Sequence, residues 1–508
     1  MQVHALERSA SPVALLKFLR WKNSQLPVNR PPREILVIIA TYATADHFTG
    51  YVTLIHLTHV CTQWRRIITT CPTLWTDIRF GEEGMPVSLA NLFFERAEGC
   101  ALKLDVHLQS TPHRHGLSQR ASVIPTLSLA HQVKSLVVNK GTWDQVKKLI
   151  GGWTYALSSL HELEVHLNES SLSSDTTIFA GELLKELLLV GCAIPGLAYI
   201  VAPKLTNLKL WEYSLAACSV KRLFDFFDAS PTLEYVTIDV NSSNVYDFPP
   251  QDRKVVLPRL CYLYLCIEDP PRVASYLVCP SKIDTHFVGV LPDNLTTELF
   301  PPNLYQLLGQ HSVEVIDRVF MHISDDGWEG YKLCSLQFFT FSGTMFRVAR
   351  QMKTFLGPFL NRVWTFSVLF NQAVTTLLSL PLDQVVMLSI DTQYCTSHEP
   401  DPDDIKTRLA EVLGRCSRLR EVELKHYPPS CFPDFSRDGM PPIQTLVINC
   451  LDDVLSEESV ESVTEVARTR HSRGTPLKRL EIVTFGNQPR IEGLESLVQE
   501  VEYRGPEF

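Results

Sequence analysis

The sequence predicts an α/β protein in which a small N-terminal helical module leads into a solenoid of short parallel strands and helices. Three observations carry that prediction. Residues 26–80 hold two apolar stretches of helical period punctuated by prolines. From Val133 onward the spacing apolar-x-x-apolar-x-apolar returns about a dozen times. The length, 508 residues, exceeds what one ordinary core organises, so a module plus a larger or repetitive domain is expected.

Composition narrows the class. Hydrophobic residues at 45% and charged residues at 20% suit a folded chain rather than a disordered one. The formal charge of −9 reads as modest and spread out, which points away from nucleic acid and membrane as partners. Thirteen cysteines are scattered without a secretory signal, so reduced thiols in the cytoplasm and/or nucleus are expected. No uncharged apolar run approaches the roughly 20 residues that span a bilayer.

Residues 1–25 form a leader with one amphipathic stretch, 12–21, carrying Lys17 and Arg20, with Lys22 just beyond it. Glu7 and the lack of a cleavage site argue against a targeting peptide, leaving a frayed leader or short docking helix. In 26–80, Pro31 and Pro32 precede Ile35, Leu36, Ile38 and Ile39, and proline suits a first helical turn, so a helix is expected over 32–44. A polar break follows at 45–50. A second apolar-periodic stretch runs over 51–70 through Leu54, Leu57, Val60, Cys61, Trp64, Ile67 and Ile68, and Pro72 closes it. A unit this small rarely buries enough surface alone and is expected to pack on a neighbour or partner.

These residues resemble an F-box, most of all the F-box-like form of large fungal families common in basidiomycetes. The segments that carry the resemblance are Asn29-Arg30-Pro31-Pro32-Arg33-Glu34-Ile35-Leu36, Val60-Cys61-Thr62-Gln63-Trp64-Arg65-Arg66-Ile67 and Cys71-Pro72-Thr73-Leu74-Trp75. Pro31 stands where the family usually has leucine, and Arg33 where a small or apolar residue is common. The resemblance implies a three-helix module that docks on a Skp-type adaptor and through it on a cullin. The implied docking residues are Pro32, Ile35, Leu36, Ile39, Leu57, Val60, Cys61, Trp64 and Ile67.

Beyond the module, a helix is expected over 89–97 and a half-buried strand over 100–108, where Leu102, Leu104, Val106 and Leu108 alternate with polar residues. The repeated template then occurs at Val133-Leu136-Val138, Leu160-Leu163-Val165, Leu184-Leu187-Leu189, Leu205-Leu208-Leu210, Leu233-Val236-Ile238 and Leu260-Leu263-Leu265. It returns at Leu333-Leu336-Phe338, Val363-Phe366-Val368, Val385-Leu388-Ile390, Leu419-Val422-Leu424, Ile443-Leu446-Ile448 and Leu477-Leu480-Ile482. Helices are expected between them at 143–150, 220–227, 345–356, 402–413 and 457–470. Residues 277–321, rich in proline, read as one or two irregular repeats, with Ile316-Val319-Met321 a candidate. Residues 491–508 read as a closing helix and tail.

The region 81–490 resembles the irregular leucine-rich repeats that often follow an F-box, because early steps between copies fall near the roughly 20–29 residues of such repeats. A strand and a return segment cannot bury their apolar sides alone, whereas stacked copies bury one continuous core. A doubly wound α/β domain is the alternative; many copies of one template without a phosphate-binding glycine loop favour the solenoid.

Catalytic patterns are missing. There is no G-x-x-x-x-G-K-[ST], G-x-G-x-x-G, G-x-S-x-G or H-E-x-x-H stretch. His113 and His115 read as solvated loop residues. Cys261 and Cys266, five apart in a strand, face opposite ways and cannot share a zinc. Acidic clusters at 401–404 and 452–453 read as helix starts. No catalytic residue, cofactor or metal is expected, and the chain reads as a non-enzyme that binds a target protein. In the template, residues flanking the last two apolar positions point outward: Glu164, His166, Lys209, Trp211, Tyr264 and Phe339 are the candidate target contacts. A ligase target-recognition subunit is the leading expectation; a scaffold with a degenerate F-box and an α/β enzyme with an unrecognised site are the alternatives.

Overall fold

The computed structural model describes residues 12–27, 31–45, 50–80, 85–108, 131–142, 145–146, 157–167, 179–191, 200–213, 220–240, 250, 252–267, 273–280, 283–290, 316–326, 331–340, 345–353, 366–392, 402–426, 431–433, 435, 439–449, 457–484 and 491–504. It is mixed α/β, with nine α-helices among the described residues and strands that pair mostly in parallel. The chain forms two compact units, Met1–Leu205 and Thr206–Phe508.

The first unit opens with α1 (Pro12–Ser24) and α2 (Arg33–Ala43), the latter starting directly after Pro32 as expected. The stretch 51–70 is two helices rather than one, α3 (Gly50–Thr58) and α4 (Thr62–Thr69). Cys61 between them is extended, at φ −162° and ψ 174°, and Arg65 Nε donates to the Thr58 carbonyl across the break at 2.9 Å. The reversal lets Trp64, Ile67 and Ile68 join Leu36, Ala40 and Leu54 in the buried set, while α2, α3 and α4 pack on one another. A Cβ at Gly50 would lie 2.3 Å from the Thr44 carbonyl oxygen, so the entry to α3 requires glycine.

A 3₁₀ turn, Pro72–Trp75, leads into β1 (Asp77–Phe80), and α5 (Val87–Ala97) follows. Trp75 is the joint: its Nε1 donates to the Ile68 carbonyl at 2.9 Å and its ring meets Phe93 edge-on at 4.7 Å. The Arg96 guanidinium lies 4.2 Å from the Trp75 ring centre. β1 pairs in parallel with β2 (Leu102–His107), Ile78 opposite Leu104. Trp75-x-x-Ile78-x-Phe80 therefore carries the repeated spacing too, unnoticed in the sequence because it lies inside the helical module. β3 (Val133–Gly141), β4 (Glu162–Leu167), β5 (Phe179–Ala180), β6 (Glu186–Val190) and β7 (Ile200–Val201) complete this unit. Leu104, Leu136, Leu163 and Leu187 form one row across β2, β3, β4 and β6, all parallel, and β5 pairs with β7. Of the helix expected at 143–150, only 145–146 lies among the described residues.

The second unit begins with β8 (Asn207–Tyr213), α6 (Val220–Asp228), β9 (Tyr235–Val240), β10 (Val255–Val256), β11 (Tyr262–Ile267), β12 (Leu277–Val278) and β13 (Asp284–Val290). β8, β9, β11 and β13 are successive parallel neighbours, with Leu208, Val236, Leu263 and Thr285 in one row; β10 pairs with β12. β13 is thus a regular member of the array. The sequence hid it because Lys282 and Thr285 stand where the other copies have apolar residues; Thr285 is fully buried.

Three long strands follow, β14 (Ile316–Asp326), β15 (Tyr331–Thr340) and β16 (Met345–Lys353). They form an antiparallel meander inserted in reverse order: β16 lies parallel to β13, β15 lies between β16 and β14, and β14 lies parallel to the next strand, β17 (Met387–Asp391). Three expectations fail here. Leu333-Leu336-Phe338 lies on an antiparallel strand. The helix expected over 345–356 is β16, whose backbone is paired on both sides, and that pairing overrides local propensity. The template at Phe366-Val368 falls in helix α7 (Phe366–Leu378), where Leu369, Phe370, Ala373, Val374 and Leu377 are buried at helical spacing. The step of three from Val363 to Phe366 in the sequence fits both patterns.

From β17 the array is regular again: α8 (Pro402–Arg415), β18 (Glu421–Lys425), β19 (Thr445–Asn449), α9 (Glu457–Ser472), β20 (Arg479–Val483) and β21 (Glu500–Arg504). Leu388, Val422, Leu446, Leu480 and Val501 make one parallel row. The expected closing helix is instead a 3₁₀ turn, Leu494–Ser496, and strand β21; Val498-x-x-Val501-x-Tyr503 is a further copy of the spacing. In eleven copies of the template, the candidate Ile316-Val319-Met321 among them, all three apolar side chains are buried, which is the core of both units. At roughly 1.5–3 kcal/mol for each fully buried aliphatic side chain, those rows are the main favourable contribution each strand makes.

Candidate interaction surfaces

α2 is apolar almost throughout, Arg33-Glu34-Ile35-Leu36-Val37-Ile38-Ile39-Ala40, yet it buries only Leu36 and Ala40. Ile35, Ile38, Ile39 and Tyr42 are 44%, 49%, 41% and 79% exposed and stand at i, i+3, i+4 and i+7, a single row along the helix. Val52 on α3 and Val60 after it are exposed too. An uncovered apolar row of this kind marks a contact surface rather than a core.

The implied docking residues therefore divide. Pro32, Ile35, Ile39 and Val60 are exposed, and Leu57 and Cys61 are half-buried. Leu36, Trp64 and Ile67 are 1%, 4% and 5% exposed, so they belong to the interior of the module. Within an all-apolar helix, spacing alone does not say which apolar side turns inward. Ile38 and Tyr42, at i+3 and i+7 from Ile35, lie in the same exposed row although the resemblance does not imply them. Arg33 has an internal role: its Nη2 donates to the Thr70 carbonyl at 3.0 Å, tying the start of α2 to the end of α4. Nine Lys and Arg stand against four Asp and Glu in residues 1–80, a net of +5; the other residues then carry −14, so the charge is segregated rather than spread.

The second surface is the outward side of the strands. In the first unit Glu164 and His166 are half-buried and engage each other, His166 Nε2 lying 2.5 Å from Glu164 Oε1. In the second unit Trp211 is 46% exposed and Lys209 half-buried on β8. Tyr264 is half-buried and packs on a small cluster of Cys266 and Val288; Cys266 points to the outward side but is covered. Tyr235, Tyr262 and Asp284 share one register row, and Thr237, Tyr264 and His286 the next. His286 lies between two rings, 5.2 Å from Tyr262 and 6.3 Å from Tyr264. Tyr235, Tyr262 and His286 thus join Tyr264 in one aromatic patch, with Trp211 further along β8; adjacency across strands, not spacing along one, brings the patch together. Phe339 lies on β15, and its side chain is outside the described residues.

The outward side of β17–β21 differs. Ser389 Oγ donates to Glu423 at 2.6 Å and Lys425 Nζ lies 3.0 Å from Glu423. Arg479 and Arg504 both reach Glu481 and Glu502. Asp391 sits between two imidazoles, with His322 Nδ1 at 3.2 Å and His426 Nδ1 at 2.9 Å. Burial would raise the Asp391 carboxyl, but hydrogen bonds from His322 and His426 outweigh it and hold the group well below the usual carboxylate range. These charges satisfy one another, leaving the aromatic half of the face with the exposed rings.

A small pocket lined by Thr44, Tyr51, Leu54, Leu74, Arg79 and Phe93 encloses about 40 Å³, room for a few water molecules and far below a drug-sized site. Among the described residues no group of three His, Cys, Asp or Glu side chains is placed to hold a metal ion, and no helix is long and apolar enough to cross a membrane. His113 and His115 lie outside the described residues. Cys261, just before β11, is exposed, and Cys266 on β11 is buried. No protein-family model matches the chain, and no curated protein is similar to it in sequence.

Proposed function

We propose that the chain is the target-recognition subunit of a Skp–cullin–F-box ubiquitin ligase, working in the cytoplasm or nucleus. In this reading α2, α3 and α4 form an F-box-like module that docks on a Skp-type adaptor. The parallel strands form a leucine-rich-repeat solenoid, and its outward aromatic patch, centred on Trp211, Tyr235, Tyr262 and Tyr264, holds a target protein. The chain makes and breaks no bond itself; it supplies proximity to the transferring subunits.

The observation that supports docking is the uncovered row Ile35, Ile38, Ile39 and Tyr42, which has the i, i+3, i+4, i+7 spacing of helix anchors in a protein groove. Isothermal titration of the full chain with purified Skp-type adaptor tests it. The intact chain is expected to bind, and the Ile38→Asp, Tyr42→Asp double variant to lose binding while keeping its circular dichroism. No binding by the intact chain removes the ligase reading.

A further inference from the structure

α1 is a second uncovered apolar element of the first unit, and it differs in kind from α2. Val13, Leu16, Leu19 and Trp21 are 62%, 53%, 46% and 61% exposed, and Phe18 is exposed as well. The helix carries Lys17, Arg20 and Lys22 and no acidic residue.

At about 100° per residue, the exposed row of α2 occupies an arc of roughly 100°, the width of a ridge that enters a protein groove. On α1 the apolar residues Trp21, Ala14, Phe18, Leu15, Leu19 and Leu16 spread over roughly 220°, too broad for one groove. Lys17 and Arg20 share the remaining sector with Val13. Lys22, near the middle of the apolar arc, and Asn23, within it, interrupt it in the last turn, where the lysine's long stem can lift the ammonium out to water. A wide apolar arc, a basic sector and an aromatic belt of Phe18 and Trp21 match a fluid interface that conforms to side chains and carries negative charge.

We propose that α1 lies on an anionic lipid surface, inserting Leu16, Phe18, Leu19 and Trp21 at headgroup depth with Lys17 and Arg20 toward the phosphates. This contradicts the expectation drawn from the overall charge of −9, which hid the basic N-terminal segment. It is independent of adaptor docking. One short helix with three cations binds reversibly, so attachment is an equilibrium that salt weakens.

The test is co-sedimentation of the full chain with vesicles of phosphatidylcholine alone and of phosphatidylcholine with phosphatidylserine, without adaptor. Binding to the phosphatidylserine vesicles that falls with added salt is expected. Leu19→Glu with Trp21→Glu is expected to lower partitioning at least about tenfold. Lys17→Glu with Arg20→Glu should abolish the preference for phosphatidylserine, whereas Lys221→Glu on α6, matched in sign, should not. All substituted side chains are exposed, and circular dichroism checks each fold. Equal binding by the α1 variants, or none by the intact chain, overturns the proposal. So does hydrogen exchange that slows over 13–22 on adding adaptor but not on adding vesicles, which would make α1 a protein contact.

Discussion

α2 and α6, helices of eleven and nine residues, each carry apolar side chains, but α6 buries five, Val220, Leu223, Phe224, Phe226 and Phe227, where α2 buries two. α6 alternates apolar and charged residues whereas α2 is nearly all apolar, yet what decides their burial is what lies over them. α6 meets elements of its own unit, with Phe224 against Tyr276 at 5.2 Å and Arg253 beside the Phe224 ring and paired with Asp225 and Asp228. α2 keeps one side on α3 and α4 and leaves its isoleucine row open. Apolar character therefore marks a candidate for burial, and only the neighbour decides whether the burial is internal or waits for another molecule.

The largest effects should separate the two helices. Phe227→Ala on α6 is expected to cost about 3–5 kcal/mol in urea unfolding, and Trp75→Ala a similar amount, because each leaves a cavity in a filled interior. Ile38→Ala and Tyr42→Ala on α2 should stay within about 0.5 kcal/mol. Comparable losses on both helices would break the contrast. The same contrast holds within α2 itself: Leu36→Ala should cost about 2–5 kcal/mol, so a binding defect in that variant reports folding rather than docking.

A smaller effect tests the paired half of the strand face. Asp391→Asn removes the carboxylate between His322 and His426 and should cost about 1–3 kcal/mol near neutral pH. Because the folded carboxyl titrates lower than its unfolded counterpart, its contribution is present above the ordinary carboxylate range and lost as pH falls through the depressed value. The wild-type advantage over Asp391→Asn in urea titrations should therefore shrink below about pH 4. An advantage that persists unchanged at pH 2.5 (roughly one to two units below an ordinary carboxyl) would show that the hydrogen bonds do not set stability there.

The smallest effect concerns covered and uncovered thiols. Burial pushes Cys416 up to about 12, whereas Cys261 is exposed. Maleimide at neutral pH should label Cys261 and leave Cys416 unreacted in the native chain, by peptide mass spectrometry. Labelling of Cys416 at the same rate would mean that the α8–β18 corner opens.

The period of the pleat is local: a strand alternates its side chains whatever it pairs with. The inward residues of eleven template copies, from Val133-Leu136-Val138 to Leu477-Leu480-Ile482, were accordingly legible in the sequence, as were α2, α5, α6, α8 and α9 to within a few residues. The copies at Thr285 and at Trp75-x-x-Ile78-x-Phe80 are hard to see in the sequence because the first has polar Lys282 and Thr285 at template positions and the second sits inside a helical motif. Of the residues the resemblance implies for docking, Ile35, Ile39 and Val60 are exposed, whereas Leu36, Trp64 and Ile67 are buried. A run of adjacent apolar residues does not name its covered side.

The sequence by itself thus determined the class, the repeat and the side chains that turn inward, since these follow from alternation and from the transfer of apolar surface out of water. Only the tertiary structure decided that β14, β15 and β16 enter as an antiparallel meander, that 345–353 is strand and that Phe366 begins a helix. It alone drew Tyr235, Tyr262, Tyr264 and His286 into one patch, and it alone left the α2 row open. Those outcomes depend on which neighbour satisfies a backbone or covers a face, and that neighbour is distant along the chain.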